Sequence, residues 1–282
     1  MCRWIAYCGE PIFIDELVTQ PVHSLVEQSI NTKMHHHDDG SIWATNGDGF
    51  GVGWYSRKDE PGLFKDAMPA WNDENLHEIC SQIRAHIFFS HVRASTNGTV
   101  QRSNSHPFKY KNWLFQHNGD VHNFLDIKRA AQLEIDSKLF TKIQGTTDSE
   151  TFFYLVLTYN LASNPKAAFE KTIAKLEELQ KKAGHPAGVN LSCSISDGKT
   201  LYTIRYGSKG TSVKTQFYST DMSCTKDLGV DYSIPQGGVI VVSEPLDRHS
   251  NKWTEVPENS FLTIKDGKVS VEKLTINSTT SS

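Results

Sequence analysis

Alternating apolar and polar residues along the chain predict short β-strands. The clearest case is Leu191, Cys193 and Ile195, followed by an Asp197-Gly198 turn and then by the run 201–206, which together predict a hairpin. Further strands are predicted at 3–7, 51–55, 87–93, 113–116 and 239–243.

Apolar residues spaced three and four apart predict two helices. The first follows Thr147-Asp148-Ser149-Glu150, a sequence typical of a capping box, and continues to about Leu161 as a largely buried helix. The second begins near Pro165, ends at Gly184 and has one charged face, so we expect it to be half exposed. Strands mixed with helices, without a repeat or a linker, predict an α+β fold in a single domain, residues 2–276, and a disordered tail, residues 277–282.

Composition narrows the possible functions. The 282 residues include 29 Lys and Arg against 32 Asp and Glu, and the net charge of −3 argues against nucleic-acid binding. No run approaches the roughly 20 apolar residues of a membrane span, and no secretory signal is visible, so a cytoplasmic location is expected. The five cysteines are odd in number and form no C-x-x-C pair, which favours reduced thiols over disulfides or a zinc site.

Two polar or glycine-rich segments each allow two interpretations. His35-His36-His37-Asp38-Asp39-Gly40 contains metal-ligand residue types, but adjacent ligands seldom converge on one ion, so a solvated loop is favoured and no metal is expected. Gly49, Gly51 and Gly53 suggest a phosphate loop, yet the G-x-x-x-x-G-K-[ST] pattern is missing. Close approach of a neighbouring segment to this strand is therefore favoured.

Cys2 is a candidate nucleophile because of its position. If Met1 is removed, Cys2 carries a thiol and a free α-amino group, whose ordinary pKa of about 7.7–8.0 lets it accept the thiol proton. The alternative is that Cys2 is only a small residue at the start of a strand.

Three other positions each combine a structural and a chemical interpretation. Asn118-Gly119 is typical of a hairpin turn, but the Asn118 amide and the Gly119 N–H can also form an oxyanion hole. Arg93 is either a surface charge or a bidentate clamp on an α-carboxylate. Asp148 is either a helix cap or a partner for an α-ammonium group.

In combination and in this order, the segments resemble the class-II glutamine amidotransferase domain, an N-terminal-nucleophile hydrolase, over most of the chain. The subgroup most similar is that of the short stand-alone γ-glutamyl amidohydrolases of ergothioneine biosynthesis and glutathione degradation. The segments that carry the resemblance are Met1-Cys2-Arg3, Pro21-Val22-His23-Ser24-Leu25 with Gln28-Ser29, Gly49 to Tyr55, His91-Val92-Arg93-Ala94-Ser95-Thr96, Ser105-His106-Pro107-Phe108, His117-Asn118-Gly119, Thr147-Asp148-Ser149-Glu150 and Val242-Ser243-Glu244-Pro245-Leu246.

The resemblance implies a four-layer αββα sandwich of two antiparallel sheets and hydrolysis of a γ-glutamyl amide, with glutamine or a γ-glutamyl compound as substrate. It assigns the nucleophile to Cys2, the oxyanion hole to Asn118 and Gly119, and the α-amino partner to Asp148. It assigns the α-carboxylate clamp to Arg93, assisted by Thr96.

No cofactor is expected for this chemistry. The chain ends too soon for the second synthase domain of larger relatives, so an alternative is a glutaminase subunit that supplies ammonia to a separate partner protein. A second alternative is a non-catalytic binding module if Met1 is retained.

Overall fold

Two antiparallel β-sheets form the centre of the molecule. The computed structural model describes residues 2–32, 45–95, 99–220, 237–246 and 252–276. Within these residues the strands are β1 (Arg3–Phe13), β2 (Phe50–Tyr55), β3 (Gly62–Asp66), β4 (Arg84–Val92), β5 (Phe108–Tyr110), β6 (Trp113–Val121), β7 (Val189–Ser196), β8 (Leu201–Gly207), β9 (Phe217–Ser219), β10 (Val239–Val242), β11 (Thr254–Glu255), β12 (Ser260–Lys265) and β13 (Lys268–Lys273). The first sheet has the order β11-β9-β10-β1-β4-β2-β3, and the second β13-β12-β8-β7-β6-β5.

The helices cover the outer faces of the two sheets. In the described part of the chain they are α1 (Asp15–Val18), α2 (Leu25–Ile30), α3 (Glu74–Gln82), α4 (Phe124–Leu133), α5 (Ser137–Phe140), α6 (Asp148–Thr158) and α7 (Pro165–Lys182). Leu17 of α1, Leu25 of α2 and Leu76 of α3 pack on the first sheet, whereas Phe152 of α6 and Phe169 of α7 pack on the second.

Strand β1 shows how the layers are joined. Its side chains alternate between faces, so Ile5 and Tyr7 pack beneath the helices while Trp4 and Ala6 pack between the sheets, with Leu114 of β6 among their neighbours. Three apolar interfaces therefore separate four layers, and the predicted α+β fold and αββα sandwich are confirmed. The single-domain assignment over residues 2–276 stays a prediction, and the predicted tail, residues 277–282, lies outside the described residues.

Most sequence-predicted elements are present. The two predicted helices are α6 and α7, and the predicted hairpin is β7 with β8, joined by the four residues 197–200 because Ser196 pairs with Leu201. Asp197 stabilises this loop by accepting hydrogen bonds from the N–H groups of Lys199 and Thr200 through Oδ1. The prediction of a turn at Asn118-Gly119 is wrong, because both residues lie inside β6 and pair with residues of β7.

The glycines of β2 let the two sheets approach closely. A Cβ at Gly51 would overlap the His106 carbonyl oxygen, and one at Gly53 would lie 2.9 Å from Cδ1 of Leu114 in β6. Contacts of a real Cβ are essentially never shorter than 3.0 Å. The predicted close approach, rather than a phosphate loop, is therefore confirmed.

Candidate active site

Cys2 directly precedes β1 and lies beside the end of β4. The strands are antiparallel, with Arg3 opposite Val92, and the Cys2 thiol donates to the carbonyl oxygen of Ala94 at 3.7 Å. The pairing therefore places the candidate nucleophile beside the segment that contains Arg93.

Cys2 also differs from the other described cysteines in its surroundings. Cys2 is half-buried, whereas Cys8, Cys80 and Cys193 are buried. Burial raises the pKa of the Cys8 thiol to about 11 and that of Cys80 to about 12, so both remain protonated at neutral pH. Cys224 lies outside the described residues.

Arg93 is a buried cation fixed by backbone and hydroxyl groups, not a surface charge. The residue is only 4% exposed. Nη1 donates to the carbonyl oxygens of Asp48 at 3.3 Å and Thr99 at 3.5 Å, and Nη2 donates to Ser95 Oγ at 3.0 Å. Its backbone N–H donates to the Gly49 carbonyl oxygen at 2.8 Å. Thr96 lies outside the described residues.

Asn118 is buried in β6, and its neighbour His117 fixes the strand from two sides. His117 Nε2 donates to the Asn190 carbonyl oxygen at 3.1 Å, and Nδ1 accepts from Ser149 Oγ at 2.9 Å. His91 Nε2 of β4 donates to the His117 carbonyl oxygen at 3.1 Å and so joins the two sheets. Burial lowers the pKa of His117 and brings that of His91 to about 3, so both rings are neutral at physiological pH.

Asp148 connects the start of α6 to the end of β6. Its Oδ2 accepts from the Val121 N–H at 2.8 Å and its Oδ1 from the Ser149 N–H at 2.7 Å. Thr147, not Asp148, caps the helix, because Thr147 Oγ1 accepts from the Glu150 N–H at 3.2 Å. The capping interpretation of Asp148 is therefore wrong by one residue.

A cavity of about 800 Å³ adjoins these residues. Gly119 and Asp148 line it together with Thr99, whose carbonyl oxygen accepts from Arg93; the other predicted site residues that the structure describes do not line it. The cavity therefore joins the oxyanion-hole candidate to the ammonium-binding candidate.

Asp120 and His122 are cavity residues that the sequence interpretation missed. Both line the cavity, and their side chains contact each other through His122 Nε2 and Asp120 Oδ2 at 3.0 Å. Burial, with a smaller contribution from the nearby Asp148 charge, raises the pKa of the Asp120 carboxyl. In the sequence, only the position of Asp120 directly after Gly119 indicates that it belongs to the site.

The described residues contain no group of three or more histidine, cysteine or carboxylate side chains arranged to hold a metal ion. The His35-to-Gly40 segment lies outside them. Among the helices that the structure describes, none is both long and apolar enough to cross a membrane.

Comparison with known proteins gives a consistent family. The model for class-II glutamine amidotransferases matches residues 17–281. The chain is 34% identical to "Probable glutamine amidotransferase DUG3" of Saccharomyces cerevisiae, over 94% of this chain and 82% of that protein. It is 24% identical to the "Gamma-glutamyl-hercynylcysteine sulfoxide hydrolase" of Mycolicibacterium smegmatis, over 97% of this chain and all of that protein.

Solved structures have the same fold. A glutamine aminotransferase class-II domain protein from Silicibacter pomeroyi superposes with a TM-score of 0.71 at 29% identity, over 97% of this chain and all of that chain. The glutamine phosphoribosylpyrophosphate amidotransferase of B. subtilis superposes with a TM-score of 0.64 at 13% identity, over 98% of this chain and 50% of that chain, and its likeness concerns the fold alone.

Proposed function

The chain belongs to the class-II glutamine amidotransferase family, and from that membership we propose that it hydrolyses the γ-amide bond of glutamine or of a γ-glutamyl compound through a thioester on Cys2. Family membership and the two relatives identify it as a cysteine-dependent enzyme. The wider substrate class, γ-glutamyl compounds, is suggested by the mycobacterial relative.

The glutamyl head of the substrate binds between two opposite charges in this proposal. The Arg93 guanidinium pairs with the α-carboxylate, with Thr96 assisting, and the Asp148 carboxylate pairs with the α-ammonium group. Both side chains are already oriented by hydrogen bonds, Arg93 through Ser95 and Asp148 through Val121. Such preorganisation lowers the entropic cost of placing the γ-carbonyl beside Cys2.

The reaction then proceeds in two steps. The Cys2 thiol transfers its proton to its own α-amino group, and Sγ attacks the γ-carbonyl carbon. The oxyanion accepts hydrogen bonds from the Asn118 amide and the Gly119 N–H. It collapses as the C–N bond breaks, and the α-amino group protonates the leaving amine. Water then adds to the thioester, the C–S bond breaks, and glutamate and the thiol are released.

The observation that carries this proposal is the series of contacts through which Ala94, Thr99 and the cavity connect the candidate residues. The Cys2 thiol contacts Ala94, next to Arg93; Arg93 reaches Thr99; and Thr99 lines the cavity with Gly119 and Asp148. Four separate elements, the starts of β1 and α6, the end of β4 and the middle of β6, contribute to this region.

The test is intact mass spectrometry of the protein expressed without an N-terminal tag, before and after incubation with a diazo-ketone analogue of glutamine. We expect loss of the Met1 mass and one adduct on the peptide that contains Cys2. Cys2→Ser should abolish the adduct and the release of glutamate, while Cys224→Ser, the matched control, should preserve both.

Retained Met1 together with no adduct would contradict the proposal and favour the non-catalytic binding module. A Cys2 adduct with glutamate release that requires an added synthase partner would assign the chain to the ammonia-supplying subunits instead. A panel of γ-glutamyl amides with different leaving amines, followed by glutamate release, then identifies the substrate.

A further inference from the structure

Three segments distant in sequence meet in one buried network beside Cys2. Arg3 begins β1, Glu244 follows β10, and His23 precedes α2. Arg3 Nε pairs with Glu244 Oε2 at 2.7 Å, and His23 Nε2 pairs with Glu244 Oε1 at 2.8 Å. Arg3 and Glu244 are each only 2% exposed.

The network is held in place by the surrounding backbone. Gln28 Nε2 donates to the His23 carbonyl oxygen at 3.1 Å. Ser243, directly before Glu244, is joined to Trp4 twice: its Oγ accepts from the Trp4 N–H at 2.9 Å, and its N–H donates to the Trp4 carbonyl oxygen at 3.1 Å. The Glu244 carboxylate is therefore fixed from both sides, and it fixes the guanidinium of Arg3 in turn.

The same guanidinium contacts the candidate nucleophile. Arg3 Nη1 donates to the carbonyl oxygen of Cys2 at 2.9 Å. Cys2 directly precedes β1, which begins at Arg3. Fixing its carbonyl oxygen restricts rotation about the Cα–C bond of Cys2, and that rotation sets where the α-amino group and the thiol point.

We propose that Arg3 is a positioning residue for Cys2: held by Glu244, whose other carboxylate oxygen contacts His23, it fixes the Cys2 carbonyl group so that the α-amino group and Sγ face the substrate. The proposal rests on the function proposed above. Arg3 touches no reacting atom and acts through the geometry of Cys2. A buried ion pair often contributes little net stability, so a role in orientation gives a reason for the network beyond stability.

Arg3→Lys is the sharpest test, because a lysine keeps the positive charge but its single nitrogen cannot span both Glu244 and the Cys2 carbonyl oxygen. The matched control is Arg205→Lys. Arg205 is also buried, pairs with Glu255 at 2.7 Å and donates to the Lys214 carbonyl oxygen at 2.9 Å, but it lies in β8.

Two measurements distinguish a positioning role of Arg3 from a purely structural one. For Arg3→Lys we expect kcat to fall by about 10- to 100-fold with KM within about threefold, since misplacement by about 1 Å can cost 10²-fold. We also expect the pH profile of Cys2 alkylation by iodoacetamide to show slower alkylation at neutral pH than in the wild type, because a displaced α-amino group accepts the thiol proton less readily. Arg205→Lys should keep the wild-type kcat and alkylation profile even where its melting temperature falls as far.

Equal kcat and equal alkylation profiles in the two variants would overturn the proposal and leave Arg3 a structural residue. If Arg3→Lys does not fold, Arg3→Met combined with Glu244→Gln removes both charges, and wild-type kcat in that variant would equally overturn it. Wild-type protein without γ-glutamyl amidase activity would refute the proposed function instead. In that case, the alkylation profiles still decide whether Arg3 orients Cys2.

Discussion

Replacing Gly119 by alanine tests the oxyanion-hole assignment through the backbone. A Cβ at this position would lie 2.5 Å from His117 Nε2 and would overlap the Asn190 carbonyl oxygen of β7. Since real Cβ contacts are essentially never shorter than 3.0 Å, relieving the overlap with the Asn190 carbonyl oxygen requires β6 to move away from β7 by about 1 Å. The movement also strains the bond of 3.1 Å between His117 Nε2 and the Asn190 carbonyl oxygen.

This displacement is larger than the tolerance of about 0.5 Å within which a catalytic group has to be held. The Gly119 N–H should therefore lose most of its value as an oxyanion donor, and complete loss of one donor costs about 10²–10³ in kcat. We expect Gly119→Ala to lower kcat by about 10²-fold with KM nearly unchanged, and to lower the free energy of unfolding by about 1–3 kcal/mol.

The assay is steady-state glutamate release from a γ-glutamyl amide, with urea unfolding measured in parallel. Gly184→Ala is the control: Gly184 has a φ of +84° and no atom within 4 Å of an added Cβ, so its cost of about 1–2 kcal/mol is purely conformational. A Gly119→Ala enzyme with kcat within threefold of the wild type, at a stability loss like that of Gly184→Ala, would refute the reasoning.

Three further predictions use the same assays. Asn118→Ala should lower kcat by about 10²–10³ because one oxyanion donor is lost, and a kcat within threefold of wild type would remove Asn118 from the site. Arg93→Lys loses the guanidinium fork, so KM should rise by about 10-fold or more for every γ-glutamyl amide; a rise for only one amide would contradict a role at the shared glutamyl head. Burial lowers the pKa of Lys65 to about 8 from its ordinary value of 10.5. Between these values the unfolded chain binds more protons than the folded one, so wild-type stability should rise with pH relative to Lys65→Met. Urea midpoints at pH 7, 8.5 and 10 measure this difference, and a pH-independent difference would contradict it.

The sequence predicts elements well where a local signal is strong. Thr147 and Glu150 mark the start of α6, and the alternation of Leu191, Cys193 and Ile195 marks β7. The prediction of a turn at Asn118-Gly119 is wrong because this dipeptide suits both a tight turn and a strand whose partner approaches closely. Only the position of Asn190 in the neighbouring strand distinguishes these two structures. Short elements such as α5 and β11 contain too few residues to show a period.

The candidate site depends on contacts that have no local signal. Position in the chain marks Cys2, and residue type together with the family resemblance marks Arg93 and Asp148. In contrast, the ion pair of Arg3 with Glu244 joins residues 241 positions apart. Similarly, the contact of His91 with His117 depends on two strands from different sheets facing each other. Such pairings follow from the packing of the sheets, which periodicity along the chain does not specify.

The central position of β1 sets an order for events during synthesis. β1, which directly follows Cys2, lies between β4 and β10, and Glu244 follows β10, so β1 receives its last neighbour only when most of the chain has left the ribosome. At about 5–20 residues per second, roughly 10–50 s separate translation of Cys2 from translation of Glu244. Until then the nascent amino terminus has neither β10 nor the Glu244 carboxylate beside it. On the proposed mechanism, this interval gives an aminopeptidase access to Met1 before the last neighbour of β1 is in place.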